Sequence, residues 1–180
     1  MSSFPVLAAP PANDNLADAI ALSTTPHSVT EAEWSAATNE VGEVDCITTN
    51  AWWYKYTPTA TGNFYVTSNG ASGINADVRL GIYTGTAFPL TGVSCTDDDD
   101  GYASTSNTQG ECQTISGVAA TTYYIRIASG SASFGAIATS LRTSACPTGA
   151  PPPPAPSVSA PILNFNQPVV IYSEEINVTK

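Results

Sequence analysis

Short stretches in which apolar and polar residues alternate, separated by turn-forming residues, are the feature that most constrains the fold. Residues Trp52–Tyr56, Asp77–Tyr83 and Tyr123–Ala128 alternate with a period of two, which is typical of half-buried β-strands. Turn residues fill the intervening stretches Pro58–Asn63 and Thr84–Pro89. About seven to nine short strands of this kind predict an all-β fold, an antiparallel β-sandwich with one face of each sheet buried.

The N-terminal part of the chain gives weaker signals. Residues 1–11 are predicted to be an extension in which no signal peptide is visible, because they contain no basic start and only a short apolar stretch. Asn13 or Asp14 is predicted to N-cap a short helical turn. The polar stretch that continues to about Cys46 has little periodicity. We place the sandwich domain at residues 12–146.

The character of the sequence changes after Cys146. Residues 147–160 are a Pro-rich linker, which favours an extended polyproline II conformation. Residues 161–180 are predicted to form a C-terminal arm with a β-strand. The apolar residues of this arm are Ile162, Leu163, Phe165, Val169, Val170, Ile171 and Tyr172. The arm can fold back on its own domain or pair with another subunit. A stiff spacer favours the second alternative, so we expect protein subunits of a larger assembly as partners.

The charge of the chain excludes two classes of partner. The chain of 180 residues has 5 Lys and Arg against 15 Asp and Glu, a formal net charge of −10. Nucleic acids and anionic membranes are bound through Lys and Arg, which such a chain lacks. The sequence also contains no apolar run of the roughly 18 residues that a membrane span needs. We therefore expect neither nucleic acid binding nor membrane insertion.

Four cysteines, Cys46, Cys95, Cys112 and Cys146, are present without a Cys-x-x-Cys motif. With His27 as the single histidine, this pattern argues against zinc. Two disulfides are expected, the alternative being four buried thiols. Cys95 and Cys112 flank one loop and are the natural local pair, which leaves Cys46 with Cys146. Disulfides favour an extracellular location.

The run Asp97–Asp100 is the most distinctive polar motif. Adjacent carboxylates repel one another, and either hydration or a hard cation such as calcium relieves that repulsion. Both interpretations remain open from the pattern alone. The sequence predicts no enzyme, since His27 is interpreted as a surface residue and no Gly-x-Ser-x-Gly motif accompanies it.

Five motifs, in order along the chain, resemble those of bacterial pre-peptidase C-terminal domains, which are related in shape to CUB-like and collagen-binding modules. They are Asn13–Ala19, Trp53–Thr57, Asp77–Gly85, Cys95–Asp98 and Thr121–Ile127. The resemblance implies a jelly-roll-like sandwich with a bound calcium ion, and it implies Asp77, Asp97 and Asp98 as ligands. Asp99, in the same acidic run, is a further candidate ligand.

Two functions are compatible with these features. The first is a non-catalytic structural accessory of a virion surface or other extracellular assembly, such as a decoration, neck or tail component. The second is a secreted adhesion or substrate-targeting module that binds polysaccharide or protein. Trp34, Trp52 and Tyr102 are candidates for a sugar-stacking platform in the second case, and packing residues in the alternative interpretation.

Overall fold

The computed structural model describes residues 8–43, 50–70, 78–97, 110–129 and 135–146. All of them lie in the first of two units of the chain, residues 1–149 and 150–180. The described residues form nine strands, one α-helix and one 3-10 turn. Their bounds are Leu16–Asp18 for the turn, Glu31–Ser35 for α1, and Ile20–Ala21 (β1), His27–Val29 (β2), Ala51–Tyr56 (β3), Gly62–Gly70 (β4), Val78–Thr84 (β5), Thr91–Asp97 (β6), Glu111–Gly117 (β7), Tyr123–Ser129 (β8) and Ile137–Arg142 (β9).

The strands form two sheets, which confirms the predicted all-β fold. One sheet has five strands in the order β1-β3-β8-β5-β6, and the other has four in the order β2-β9-β4-β7. Neighbouring strands are antiparallel except for β1 and β3, which are parallel, with Ile20 opposite Tyr54. The parallel pair was not predicted. It arises because the chain crosses to the other sheet as β2 and returns through α1 before β3 begins, and parallel neighbours require such a crossover.

The main core lies between the two sheets and is built from alternate residues of the strands. Trp52 and Tyr54 of β3 are fully buried there, as are Ile125 and Ile127 of β8. The period-two pattern therefore identified the inward-facing positions of these strands correctly. Each such side chain contributes about 1.5–3 kcal/mol by its removal from water.

A second apolar cluster covers the outer face of the five-stranded sheet. Trp53 of β3 and Tyr83 of β5 pack there against Leu16 and Leu90, and Phe88 meets the Trp53 ring edge-on at 5.9 Å between centroids. The N-terminal segment and the β5–β6 loop thus act as a lid on this sheet. Both faces of the interior strand β3 are buried as a result.

The N-terminal residues hold this segment to the sheet by polar contacts. Asn13 donates from Nδ2 to the carbonyl of Trp53 at 2.7 Å, and its own carbonyl accepts from the Trp53 amide at 2.8 Å. Asp14 accepts two hydrogen bonds from Thr38, at 2.6 and 2.7 Å. Because both residues are used in this way, the predicted helical turn begins after Asn15, whose side chain makes no capping hydrogen bond, and it is of the 3-10 type.

The stretch between residues 23 and 43, predicted to lack periodicity, contains β2 and α1. Thr30 is the N-cap of α1 and forms a reciprocal capping box with Glu33, an arrangement that stabilises a helix start. Hydrogen bonding to Thr30 lowers the pKa of Glu33. These elements have three and five residues, too few for periodicity to identify.

Candidate functional site

The strand ends that flank the predicted calcium ligands in sequence lie at one end of the sandwich, which we call the acidic end. There β4 ends opposite the start of β7, with Ser68 beside Glu111, and β5 begins opposite the end of β6, with Arg79 beside Asp97. Asp97 is the last residue of β6, and only its backbone is described. Asp77, Asp98 and Asp99 lie outside the described residues, Asp77 directly before β5. The topology therefore brings the chain positions next to these residues to the same end.

Glu111 is a carboxylate at the acidic end that sequence reasoning missed. It is 1% exposed. Two residues further along β7, Gln113 donates from Nε2 to the carbonyl of Leu80 at 3.1 Å and to Thr96 Oγ1 at 2.7 Å, across the interior. Since residues i and i+2 of a strand share a face, Glu111 belongs to the inward face of β7. In the sequence, only the alternation of Glu111 with Gln113 and Ile115 could have indicated that Glu111 faces the interior.

The disulfide pairing differs from the prediction. Cys112 is bonded to Cys146, with 5.6 Å between their Cα atoms. Cys95 is also disulfide-bonded, and Cys46 lies outside the described residues. The predicted Cys95–Cys112 and Cys46–Cys146 pairs are therefore wrong.

The reason for this error is the direction of the side chains. Thr96 and Gln113 face each other across the interior at 2.7 Å. Neighbouring residues on a strand point to opposite faces, so Cys95 and Cys112 lie on the outer faces of two different sheets. Flanking the same loop in sequence does not bring their sulfur atoms together.

The predicted sugar-stacking platform is also corrected. Trp52 is fully buried in the main core, and Trp34 is 8% exposed. The indole Nε1 of Trp34 donates to the carbonyl of Gly135 at 2.9 Å, which anchors α1 to the start of β9. Tyr102 lies outside the described residues. The two tryptophans therefore pack inside the domain and present no ring to a ligand.

His27, predicted to be a surface residue, is half-buried on the edge strand β2. Its Nδ1 lies 2.9 Å from the hydroxyl of Tyr54, and the two rings meet edge-on. Burial raises the pKa of Tyr54 to about 12, so this hydroxyl stays protonated at neutral pH. The pair joins the edge strand β2 of one sheet to the interior strand β3 of the other.

A buried ion pair lies on the outer face of the five-stranded sheet, beneath the N-terminal lid. Arg126 of β8 binds Glu43 through its Nη2, and their side chains are 1% and 5% exposed. Glu43 also accepts from Trp53 Nε1 at 3.2 Å, while the Arg126 guanidinium lies 5.6 Å from the centre of the Trp53 ring. Burial raises the pKa of Glu43, although the charge of Arg126 opposes the rise. This pair fixes the segment that ends at residue 43 to the sheet.

Two further observations concern the described residues only. Within residues 8–43, 50–70, 78–97, 110–129 and 135–146, no three His, Cys, Asp or Glu side chains are grouped closely enough to hold a metal ion. The same ranges contain no helix with the length and apolar character needed to cross a bilayer.

Comparisons with known proteins show similarity to solved structures but not to known sequences. No family model and no curated protein sequence matches the chain. The crystal structure of the pre-peptidase C-terminal domain of collagenase from Bacillus anthracis matches 69% of this chain and 94% of its own, with a TM-score of 0.40 and 10% sequence identity. The similarity concerns the fold, and beyond the fold the resemblance to that family stays a prediction.

Proposed function

We propose that the chain is a non-catalytic structural module of an extracellular assembly, most specifically a virion accessory protein such as a decoration, neck or tail component. In this proposal the sandwich is the folded body, and residues 161–180 are an arm that binds another subunit. The observation that carries the proposal is the Cys112–Cys146 disulfide. It fastens the residue directly before the Pro-rich linker to an edge strand of the sandwich.

This attachment suits a projecting arm. A linker that simply followed β9 would pivot on residues 143–146, whereas the disulfide gives it a second, covalent attachment to β7. Residues 147–156 include six prolines and, if extended, span about 30 Å at roughly 3.1 Å per residue. That length reaches past a small domain to a neighbour. Disulfides also persist in oxidising, extracellular locations.

Deletion of residues 161–180 tests the assembly role. We expect a folded monomer with an unchanged melting temperature that no longer associates with other subunits, because the apolar residues that would be buried in the partner are gone. Light scattering after size-exclusion chromatography of both chains measures this difference. Deleting only residues 174–180, which follow the apolar part of the arm, is the matched control and should preserve association. Unfolding or aggregation of the shorter chain would show that the arm belongs to its own core.

Calcium binding at the acidic end is the second part of the proposal. The candidate donors Asp77, Asp97, Asp98 and Asp99 are all carboxylates, the ligands that calcium prefers, and the described strand ends next to them in sequence lie at one end of the sandwich. Glu111 is the described carboxylate best placed to join them, since it is buried at the start of β7. Calcium would join the β4–β5 and β6–β7 connections there.

Calcium should raise the stability of the native chain by about 2.7 kcal/mol at a hundredfold excess over its Kd. We expect the melting temperature to fall in chelator and to recover in excess calcium. Asp77→Asn and Asp98→Asn should abolish the response, and Glu111→Gln should weaken it. Asp18→Asn, which removes an exposed carboxylate from the 3-10 turn, is the control. Identical melting of the native chain with and without calcium would contradict the proposal.

A further inference from the structure

A groove beside strand β3 of the five-stranded sheet contains Lys55, which forms no ion pair with any described residue. Two adjoining cavities of about 490 and 230 Å³ form the groove, and Lys55 and Tyr124 line both of them. These two residues are direct cross-strand neighbours on β3 and β8. The volume of the larger cavity lies within the range of about 300–1,000 Å³ that is usual for small-ligand sites. We call it the Lys55 cavity.

Glu40 lines the smaller cavity together with Lys55, but the two side chains do not form an ion pair. No carboxylate lies within 4.0 Å of its ammonium group among the described residues, whereas Arg126 on the same sheet face is paired with Glu43. In the described part of the chain, Lys55 is also the only charged residue that lines the larger cavity. The chain has only five Lys and Arg and a net charge of −10. Since the ammonium group of Lys55 forms no ion pair with a described residue, it can pair locally with one carboxylate of a ligand, against the overall repulsion that the net negative charge of the chain exerts on anions.

The remaining lining of the Lys55 cavity is aromatic and hydroxylic. Tyr56 and Tyr124 are half-buried and border the cavity. Thr57 and Thr122 line it as well, and their hydroxyl groups lie 2.9 Å apart. Aromatic rings pack against the C–H faces of sugar rings, and hydroxyl groups donate to and accept from sugar hydroxyls. Apolar contact is completed by Ala21 and Leu22.

We propose that the Lys55 cavity binds a carboxylated sugar unit of an acidic polysaccharide. The ammonium group of Lys55 pairs with the carboxylate, the ring of Tyr124 contacts the sugar face, and the hydroxyls of Thr57 and Thr122 bond to the sugar hydroxyls. Charge-assisted hydrogen bonds of this kind are about twice as strong as neutral ones. The site is distinct from the sequence-predicted platform, and it rests on neither calcium binding nor the assembly role.

Titration of the isotope-labelled full-length chain with a trisaccharide of galacturonic acid tests the proposal. We expect amide resonances of residues that line the cavity, including Lys55 and Tyr124, to shift during the titration. The matched neutral trisaccharide of galactose should bind at least tenfold more weakly. Affinity for the acidic trisaccharide should also fall as salt is added, because salt screens the ion pair.

Substitutions separate the roles of charge and ring. Lys55→Met keeps the aliphatic stem and should lower the affinity at least tenfold, and Tyr124→Ala should lower it to a similar extent. Arg142→Met on β9, in the other sheet, removes the same charge and should leave binding unchanged. Tyr124 also packs against the apolar cluster beneath the lid. The affinity of Tyr124→Ala is therefore compared only if its circular dichroism matches that of the native chain. If it does not match, the test rests on Lys55→Met.

Three results would overturn the proposal. The first is equal affinity for the acidic and neutral trisaccharides, and the second is unchanged affinity in Lys55→Met. The third is binding of a short peptide with a free C-terminal carboxylate, but not of the acidic trisaccharide, which would assign the cavity to a peptide terminus. Resonance shifts confined to residues away from the cavity would contradict the proposal in the same way as unchanged affinity in Lys55→Met.

Discussion

Replacing Arg126 with methionine is expected to lower the free energy of unfolding by about 3–5 kcal/mol at neutral pH, since removal of one member of a buried ion pair leaves the other charge uncompensated. Glu43 would be that charge, with its side chain 5% exposed. The loss is a large part of the roughly 5–15 kcal/mol that holds a typical domain folded. Urea unfolding followed by tryptophan fluorescence measures it.

The loss should depend on pH in a defined direction. A carboxyl group whose pKa is higher in the folded than in the unfolded state contributes most stability below its ordinary pKa, 4.5 for Glu43, and the contribution is lost as pH rises through the raised value. Burial already raises the pKa of Glu43, and removing Arg126 raises it further. The difference between the variant and the native chain should therefore be largest at pH 7 and shrink as pH falls toward 4.5.

Two further variants provide the controls for Arg126→Met. Adding Glu43→Gln to it should recover much of the stability at pH 7, because the amide needs no counter-charge. Arg142→Met removes a half-exposed cation from β9 and should lower the free energy of unfolding by less than about 1 kcal/mol. A loss in Arg126→Met that is the same at every pH would indicate lost packing against Trp53 as its cause.

Loss of the Cys112–Cys146 disulfide is expected to cost about 4 kcal/mol by the chain-entropy relation, given a sequence separation of 34. The double variant Cys112→Ala and Cys146→Ala should show this loss in urea unfolding. Thr114→Ala changes an exposed residue on the same outer face of β7 and is the control. Its free energy of unfolding should stay within about 0.5 kcal/mol of that of the native chain.

Peptide mapping without reduction checks the pairing itself. We expect a fragment that joins Cys112 to Cys146. Because the chain has four cysteines, we also predict that Cys46 is the partner of Cys95. A fragment that joins Cys95 to Cys112 would contradict the structure.

The strands of the core could be predicted because their signal is local. Alternation in Trp52–Tyr56 and Tyr123–Ala128 identifies both the strand and its inward face. It could not show that the outer face of β3 is covered too, since the covering residues Leu16 and Leu90 come from distant parts of the chain. For the same reason Trp34 and Trp52 could be mistaken for ligand-binding rings.

The candidate sites could likewise be predicted only as far as their residues are close together in sequence. The acidic run indicated a candidate cation site, but the position of Glu111 at the same end of the sandwich depends on how β7 pairs with β4. Lys55 is an ordinary polar position of an alternating strand in the sequence. Its groove exists only because β8 places Tyr124 beside it and the N-terminal segment and the β5–β6 loop form the walls. Pairing of strands distant in sequence determines all of these positions.

The covalent link between Cys112 and Cys146 also determines how mechanical tension would enter the domain. A pull on the segment after residue 146 is shared between β9, through the main chain, and β7, through the disulfide. Both strands are hydrogen-bonded to β4, which lies between them. Tension is thus spread over two ladders of hydrogen bonds, and peeling of β9 alone is resisted. In a reducing environment β9 would bear the whole load, so the resistance of the domain to pulling depends on the redox state of its surroundings.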